Sequence, residues 1–424
     1  MTRIRIRLTY AVATALFACL AAHPGNAQSV QADDSASESF DEALDEVPID
    51  VLDSIGDAIE QRGLRFDGDF RLGDTFVGDD INAVELGAPD SIRARWRIRS
   101  TWGITEGFRG VARVAGLCSS DECKPDFVLQ PNTSTSTTME DGQITIDEFF
   151  LQRFRTDRFN VAIGRMQTKF VARGGVFSKS LTQNNSNNHR VNWTDGLHAT
   201  FKAKNSWESH MVLQYNSEDG PSNVRRDPLD FSDDRSRVSY IYGIESLQYK
   251  RRLVQRAFDI IYLPSALLVS GQPDGPLEDY FAIVACAAAR WPIRSEGWRV
   301  RLSGEVGYAP NTPTKTAAGL TGTGDADGLA WNITASVMDF APHHSIGINY
   351  AQTGAGWLVS PQYTDNQRLI EIRYMWRPTD HMTLDIRGRL REELRQTLAE
   401  DPGRDPFDFF IRFTWRFDIK DSQR

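Results

Sequence analysis

The sequence predicts an all-β fold: a closed antiparallel transmembrane β-barrel of about 16 strands, with short turns at one rim and long loops at the other. Three observations carry this. Apolar and polar residues alternate with period two from Gly63 almost to the C-terminus, one strand sets four arginines on a single face, and the connections alternate between short and long.

The arginine strand runs from Ile92 to Trp102. Arg93, Arg95, Arg97 and Arg99 share one face, and Ile92, Ala94, Trp96 and Ile98 share the other. Four aligned guanidiniums cannot occupy a dry core. A soluble sheet would turn them to bulk water, whereas a membrane barrel would turn them to a wet lumen and the apolar face to lipid. The chain ends and the repetition along the chain favour the second arrangement.

At the N-terminus, Arg3, Arg5 and Arg7 precede an apolar stretch from Leu8 to Ala22, and Asn26-Ala27 lies before Gln28. Residues 1–27 therefore read as a secretory signal peptide, which sends the chain out of a bacterial cytoplasm. A lipoprotein signal at Cys19 is disfavoured by the bulky Phe17. The most apolar later segment, Tyr280 to Ala289, falls well short of the roughly 20 residues that a spanning helix needs, but it suits a membrane strand.

Residues 28–62 form an acidic leader, with 11 acidic residues and no Lys or Arg from Gln28 to Gln61. The net charge of -9 belongs to this segment, because 45 basic and 46 acidic residues remain from Arg62 onward. Leu44, Val47, Val51, Leu52, Ile55 and Ile59 recur at helix-like spacing. A short periplasmic helix and a disordered linker are both compatible with that pattern.

The barrel is expected over residues 63–420, followed by a tail at 421–424. Leu64, Phe66, Phe70 and Leu72 alternate with Arg65, Asp67, Asp69 and Arg71 in its first strand. Strands follow at about 91–104, 108–118, 143–155, 159–170, 197–204, 208–217, 237–252 and 256–269. The rest are expected near 280–293, 298–310, 329–341, 344–358, 367–378, 381–394 and 408–420. In the 143–155 strand, Ile144 and Ile146 are out of phase with Phe149 and Leu151, which predicts a β-bulge. Thr105-Glu106-Gly107, Pro342-His343 and Thr379-Asp380 are short turns, while 119–142, 171–196, 218–236, 311–328 and 395–407 are long polar loops. Closure is what lets such strands cross lipid with their backbone groups satisfied.

In the last strand Phe409, Ile411, Phe413, Trp415 and Phe417 alternate with Phe410, Arg412, Thr414 and Arg416. Signal peptide, alternating strands, turn asymmetry and this aromatic closing strand together resemble the Gram-negative outer-membrane porins. The likeness is one of architecture over residues 63–420, and no short motif fixes a subfamily. The chain departs from the family pattern by continuing past Phe417 with Asp-Ile-Lys-Asp-Ser-Gln-Arg. The resemblance implies a bacterial outer-membrane location, an environment of lipid, handling by the barrel-assembly machinery and a homotrimer.

On the presumed lumen faces of the first, second and last three strands lie Arg65, Arg71, Arg93, Arg95, Arg97, Arg99, Arg373, Arg387, Arg389, Arg391, Arg412 and Arg416. Against them stand Asp67, Asp69, Glu371, Asp385, Glu393 and Asp418. One wall should be positive, and guanidiniums can pass small polar or anionic solutes between weak sites. The competing reading is that the arginines pair with lumen carboxylates and stiffen the barrel. The third long loop, which in porins folds into the lumen, supplies Lys179, Asn184, Asn187, His189, Arg190 and Asp195 as constriction residues by that resemblance.

Cys118 and Cys123 flank only Ser-Ser-Asp-Glu and are expected to form a disulfide outside the cytoplasm. Neither a zinc-ligand spacing nor a nucleophile elbow is present, although Ser180, His189 and Asp195 could be assembled into a triad on paper. The expectation is therefore no enzyme, metal, cofactor or nucleic-acid partner. The 322–328 segment, with Asp325 and Asp327, lacks the remaining ligands of a calcium loop and reads as a flexible surface loop. The rivals to a porin are a substrate-specific channel, a polysaccharide-export barrel and a hydrolase barrel.

Overall fold

The computed structural model describes residues 64–78, 92–120, 122–129, 141–156, 158–168, 172–173, 175–182, 191, 193–203, 206–215, 228–231, 237–248, 251–272, 275–293, 297–360, 363–395 and 407–420. The expected signal peptide, acidic leader and C-terminal tail lie outside the described residues.

The strands are β1 (Arg65–Gly78), β2 (Arg93–Thr105), β3 (Phe108–Ser119), β4 (Asp126–Phe127), β5 (Gln143–Thr156), β6 (Phe159–Met166), β7 (Thr194–Lys202), β8 (Trp207–Tyr215) and β9 (Val238–Leu247). They continue with β10 (Leu253–Leu268), β11 (Leu277–Ile293), β12 (Trp298–Tyr308), β13 (Leu329–Ala341), β14 (His344–Thr353), β15 (Gln367–Thr379), β16 (Met382–Glu393) and β17 (Phe407–Lys420). β4 is a two-residue strand parallel to β5. The other sixteen are antiparallel to their sequence neighbours, and β1 pairs with β17 from Arg65↔Lys420 to Gly78↔Phe407. The sheet is thereby closed, and the last strand keeps its pairing beyond Phe417.

The two faces follow the alternation. Ile98, Phe149, Leu151, Ile163, Val306, Ile333 and Ile372 project outward and are exposed, while Arg71, Arg95, Asp385 and Arg412 are buried on the inner side. A barrel in lipid requires this inversion of the soluble pattern.

The bulge falls in β5. Arg113 faces Glu148 while Val114 faces Ile146, so Asp147 is the extra residue. Asp147 and Glu148 are consequently both buried on the inner side although they are adjacent in sequence.

Tyr280 to Ala289 is apolar on both faces because its inner face does not meet water. Tyr280, Ala282 and Val284 of β11 join Leu181, Leu229, Phe231, Trp357, Leu358 and Val359, from three chain connections, in one apolar cluster. One side of the barrel interior thus has a dry core, and the opposite side is ionic.

The 322–328 segment, expected to be a flexible surface loop, is folded into the 311–328 connection. Thr314 bridges to Asp325, the Thr314 amide donates to the Val269 carbonyl at 3.0 Å, and Lys315 Nζ donates to the Thr323 carbonyl at 2.9 Å. Its hydrogen bonds close internally and onto the neighbouring strand, a pairing that composition alone does not reveal. Asp327 accepts from the Leu329 amide at 3.0 Å.

On the outer face, the Trp96 and Trp102 rings lie over their cross-strand partners Gly116 and Gly110, where an added Cβ would come within 2.4 Å of either ring. A Gly116→Val substitution should displace the Trp96 ring and cost about 1–3 kcal/mol. The expected result is a lower urea midpoint for the protein in vesicles, with altered tryptophan emission; an unchanged midpoint would show that the ring moves aside freely.

Candidate functional site

The inner face of β1, β2 and β3 carries guanidiniums in closely spaced rows, and β5 adds the carboxylates Asp147 and Glu148 beside them. Asp67 faces Arg99, Asp69 faces Arg97 and Arg71 faces Arg95 across the β1–β2 pair. Rows of like charge are tolerated in a confined lumen only with counter-charge between them. Asp69 lies 2.8 Å from Arg95 and 3.3 Å from Arg71, and Asp147 lies 2.8 Å from Arg113 and 3.4 Å from Arg97. Glu148 reaches Arg113 at 3.0 Å and Arg99 at 4.0 Å, and Asp67 pairs with Arg99 at 2.8 Å.

The pattern continues across the closure. Asp385 takes two hydrogen bonds from Arg373, at 2.8 and 2.7 Å, and one from Arg412 at 2.7 Å. Asp408 is shared by Arg389, at 2.6 Å, and Arg391. Arg387 stands 3.8 Å from Glu371 and lies over the Phe410 ring at 4.3 Å. Carboxylates are thus repeatedly shared by two cations, which leaves the wall positive while every one of these arginines is held. Arg416 faces Asp69 in the β1–β17 register. Arg65, near the short-turn rim, donates to Asp418 at 3.1 Å, and the half-exposed Arg93 donates to Asp141 at 3.2 Å.

The described part of the third long loop, residues 172–173 and 175–182, lies inside the barrel against the opposite wall. The Arg173 amide donates to Gln255 at 2.8 Å, Ser180 Oγ and the Leu181 amide donate to the Glu305 carboxylate at 2.8 and 3.0 Å, and Thr182 Oγ1 donates to Asp259 at 3.4 Å. The acids of β10 and β12 therefore bind the loop and do not oppose the arginines. Lys179 reaches across to Glu371, which it shares with Arg387, and its ammonium lies 5.3 Å from the Tyr363 ring. Burial draws the Lys179 ammonium down to about 8, against the attraction of Glu371.

A second inward segment, 354–360, braces the first. Tyr280 Oη donates to the Gly356 carbonyl at 2.9 Å and accepts from the Leu358 amide at 3.0 Å, and Ser360 Oγ donates to the Ser180 carbonyl at 3.2 Å. Burial pushes the nearby Tyr363 phenol well above its ordinary value.

Of the loop residues expected at the constriction, Lys179 is inside the barrel, and Asn184, Asn187, His189 and Arg190 lie outside the described residues. Asp195 is a correction. β7 begins at Thr194, earlier than expected, and Asp195 is its second residue, paired with Arg165 of β6 at 2.9 Å and accepting from Trp193 Nε1 at 3.2 Å. Its role is to anchor the return of the loop. The Ser180 hydroxyl donates to Glu305, and His189 lies outside the described residues. Cys118 and Cys123 form a disulfide with Cα atoms 4.6 Å apart.

Residues missed from the sequence include Asp147, Glu148, Arg113 and Asp408 on the positive wall, and Asp259 and Glu305 on the loop's wall. The β5 phase break signalled the first two. Phe410 gave no signal, because an inward aromatic beneath two guanidiniums looks like one more member of an aromatic closing strand.

No known family model matches the chain, and no curated protein matches it in sequence. Solved structures do. The chain is similar to a BenF-like porin from Pseudomonas fluorescens Pf-5, at 11% identity and a TM-score of 0.52 over 86% of this chain and 100% of that one. It is similar to OprB from Pseudomonas putida, at 9% identity and a TM-score of 0.52 over 84% and 93% of the two chains. For OccAB1 from Acinetobacter baumannii the values are 12%, 0.51, 85% and 99%. The chain has the sixteen-stranded barrel fold of the outer-membrane porins.

Proposed function

We propose that the protein is an outer-membrane porin through which small polar solutes diffuse passively, with a preference for anions. The observation that carries the preference is the sharing of Asp69, Asp147, Asp385 and Asp408 by two arginines each, which gives one wall of the lumen excess positive charge. Apart from the Lys179–Glu371 pair, the loop's carboxylate contacts are to Asp259 and Glu305 on the other side, so the acids of β10 and β12 are separated from the arginines across the passage. An anion would exchange among guanidiniums already held in place, meeting shallow sites that do not trap it. No chemical step is required. A homotrimer accords with the porin resemblance.

The test is the reversal potential of the refolded protein in a planar bilayer under a KCl gradient. The wild type is expected to favour chloride, and Arg95→Gln with Arg97→Gln to lower that preference severalfold. Unchanged selectivity in a conducting double variant would remove the arginine wall from the account.

Lys179 adds a pH dependence. Arginines stay charged over the accessible range, whereas Lys179 loses its charge as pH rises through about 8. Chloride preference should therefore fall between pH 7 and 9 in the wild type and stay level in Lys179→Gln. A fall of equal size in both would assign it to another group.

A solute-selective channel is the second reading, favoured by segment 354–360, which adds to the inward loop in filling one side of the barrel. Anion flux that saturates at millimolar concentration would support it, and flux linear in concentration would favour a general pore.

A further inference from the structure

Charge on a lipid-facing surface is costly unless it is neutralised, and outward polar groups are treated differently at the two rims. At the long-loop rim, Arg368 pairs with Glu392 at 2.9 Å and Tyr262 Oη donates to Asp279 at 2.9 Å. Near the short turns, Arg153 lies over Phe108 and Arg256 over Trp207, each guanidinium 5.2 Å from the ring centre. Among the described residues neither of these two arginines has a carboxylate partner. Arg256 adds a hydrogen bond from Nη2 to Ser246 Oγ at 3.4 Å.

Arg256 stands in an outer-face row. Trp207, Ser246, Arg256, Ala287 and Gly304 are successive cross-strand partners over β8 to β12. Beyond Arg256 the row continues with the small Ala287 and Gly304, beside the exposed Leu302 and Val306. Arg251 and Arg252, in the turn that leads into β10, are exposed and add positive charge at the same edge. The Trp207 ring and Ser246 Oγ hold the Arg256 guanidinium in place, and its planar set of N–H donors matches two oxygens of a phosphodiester.

We propose that this row binds an anionic glycerophospholipid of the periplasmic leaflet, with the phosphodiester on Arg256 and an acyl chain lying over Ala287 and Gly304. Charge complementarity selects that occupant. Among the described strand residues, the outward carboxylates Asp279 and Glu392 stand at the opposite rim and are already engaged, so a second copy would bring carboxylates to this height only from short turns such as those of Glu106 and Asp380. Arg256 points away from the lumen, so the site is separate from solute passage.

The experiment titrates the full chain in detergent with phosphatidylglycerol and, separately, phosphatidylcholine, and reads retained lipid by native mass spectrometry. Phosphatidylglycerol should be held about fivefold more tightly, as expected for one interfacial arginine. Arg256→Gln should abolish the difference and Arg256→Lys keep part of it, with single-channel conductance the same in all three. Equal retention of both lipids by the wild type would overturn the proposal, as would an undiminished difference in Arg256→Gln. Dissociation of an oligomer by Arg256→Gln, with lipid retention unchanged, would instead make the row a subunit contact. If Arg256→Gln fails to refold, the wild-type comparison and Arg256→Lys decide. A protein that distinguishes the lipids but does not conduct would leave this site standing and remove the porin reading.

Discussion

The structure depends first on the seam between β1 and β17. Strand backbones in lipid have no water to bond, so the sheet is stable only if its first and last strands satisfy each other. Once they pair in the register Arg65↔Lys420 to Gly78↔Phe407, every side chain belongs to an inner or an outer surface, and the period-two alternation decides which. The arginines of β1, β2, β16 and β17 are brought inward together by that closure. β2 and β16 are far apart in the chain, yet their guanidiniums belong to one continuous wall.

Crowding so many cations would be unfavourable without counter-ions, and the carboxylates supply them sparingly. Asp385 between Arg373 and Arg412, and Asp147 between Arg97 and Arg113, each answer two guanidiniums. From sequence, structural pairing and a positive wall are competing readings of the arginines. Sharing makes them compatible, since a carboxylate divided between two cations orders both and cancels one.

The other side of the interior is organised by the inward loop. Glu305 and Asp259 receive its hydroxyls and an amide, and Tyr280 clamps segment 354–360 behind it. Acidic side chains that would oppose the arginines in a simpler lumen are turned into loop anchors, and the apolar inner face of β11 is covered by the same segments. Charge separation across the passage and the dry half of the barrel therefore share one cause.

By itself the sequence determined the barrel class, the sixteen long strands, the facing of Arg93 to Arg99 and the presence of a bulge between Ile146 and Phe149, because side-chain parity along a strand is a local property. It could not assign partners. That Asp147 and Glu148 both turn inward, that Asp408 serves Arg389 and Arg391, and that Asp195 belongs to a strand with Arg165 all depend on register between neighbouring strands joined by long connections, which do not set it. The apolar run from Tyr280 to Ala289 marks the boundary most clearly. Its composition suited a membrane strand, but only the folded chain shows that its inner face is apolar because three connections cover it.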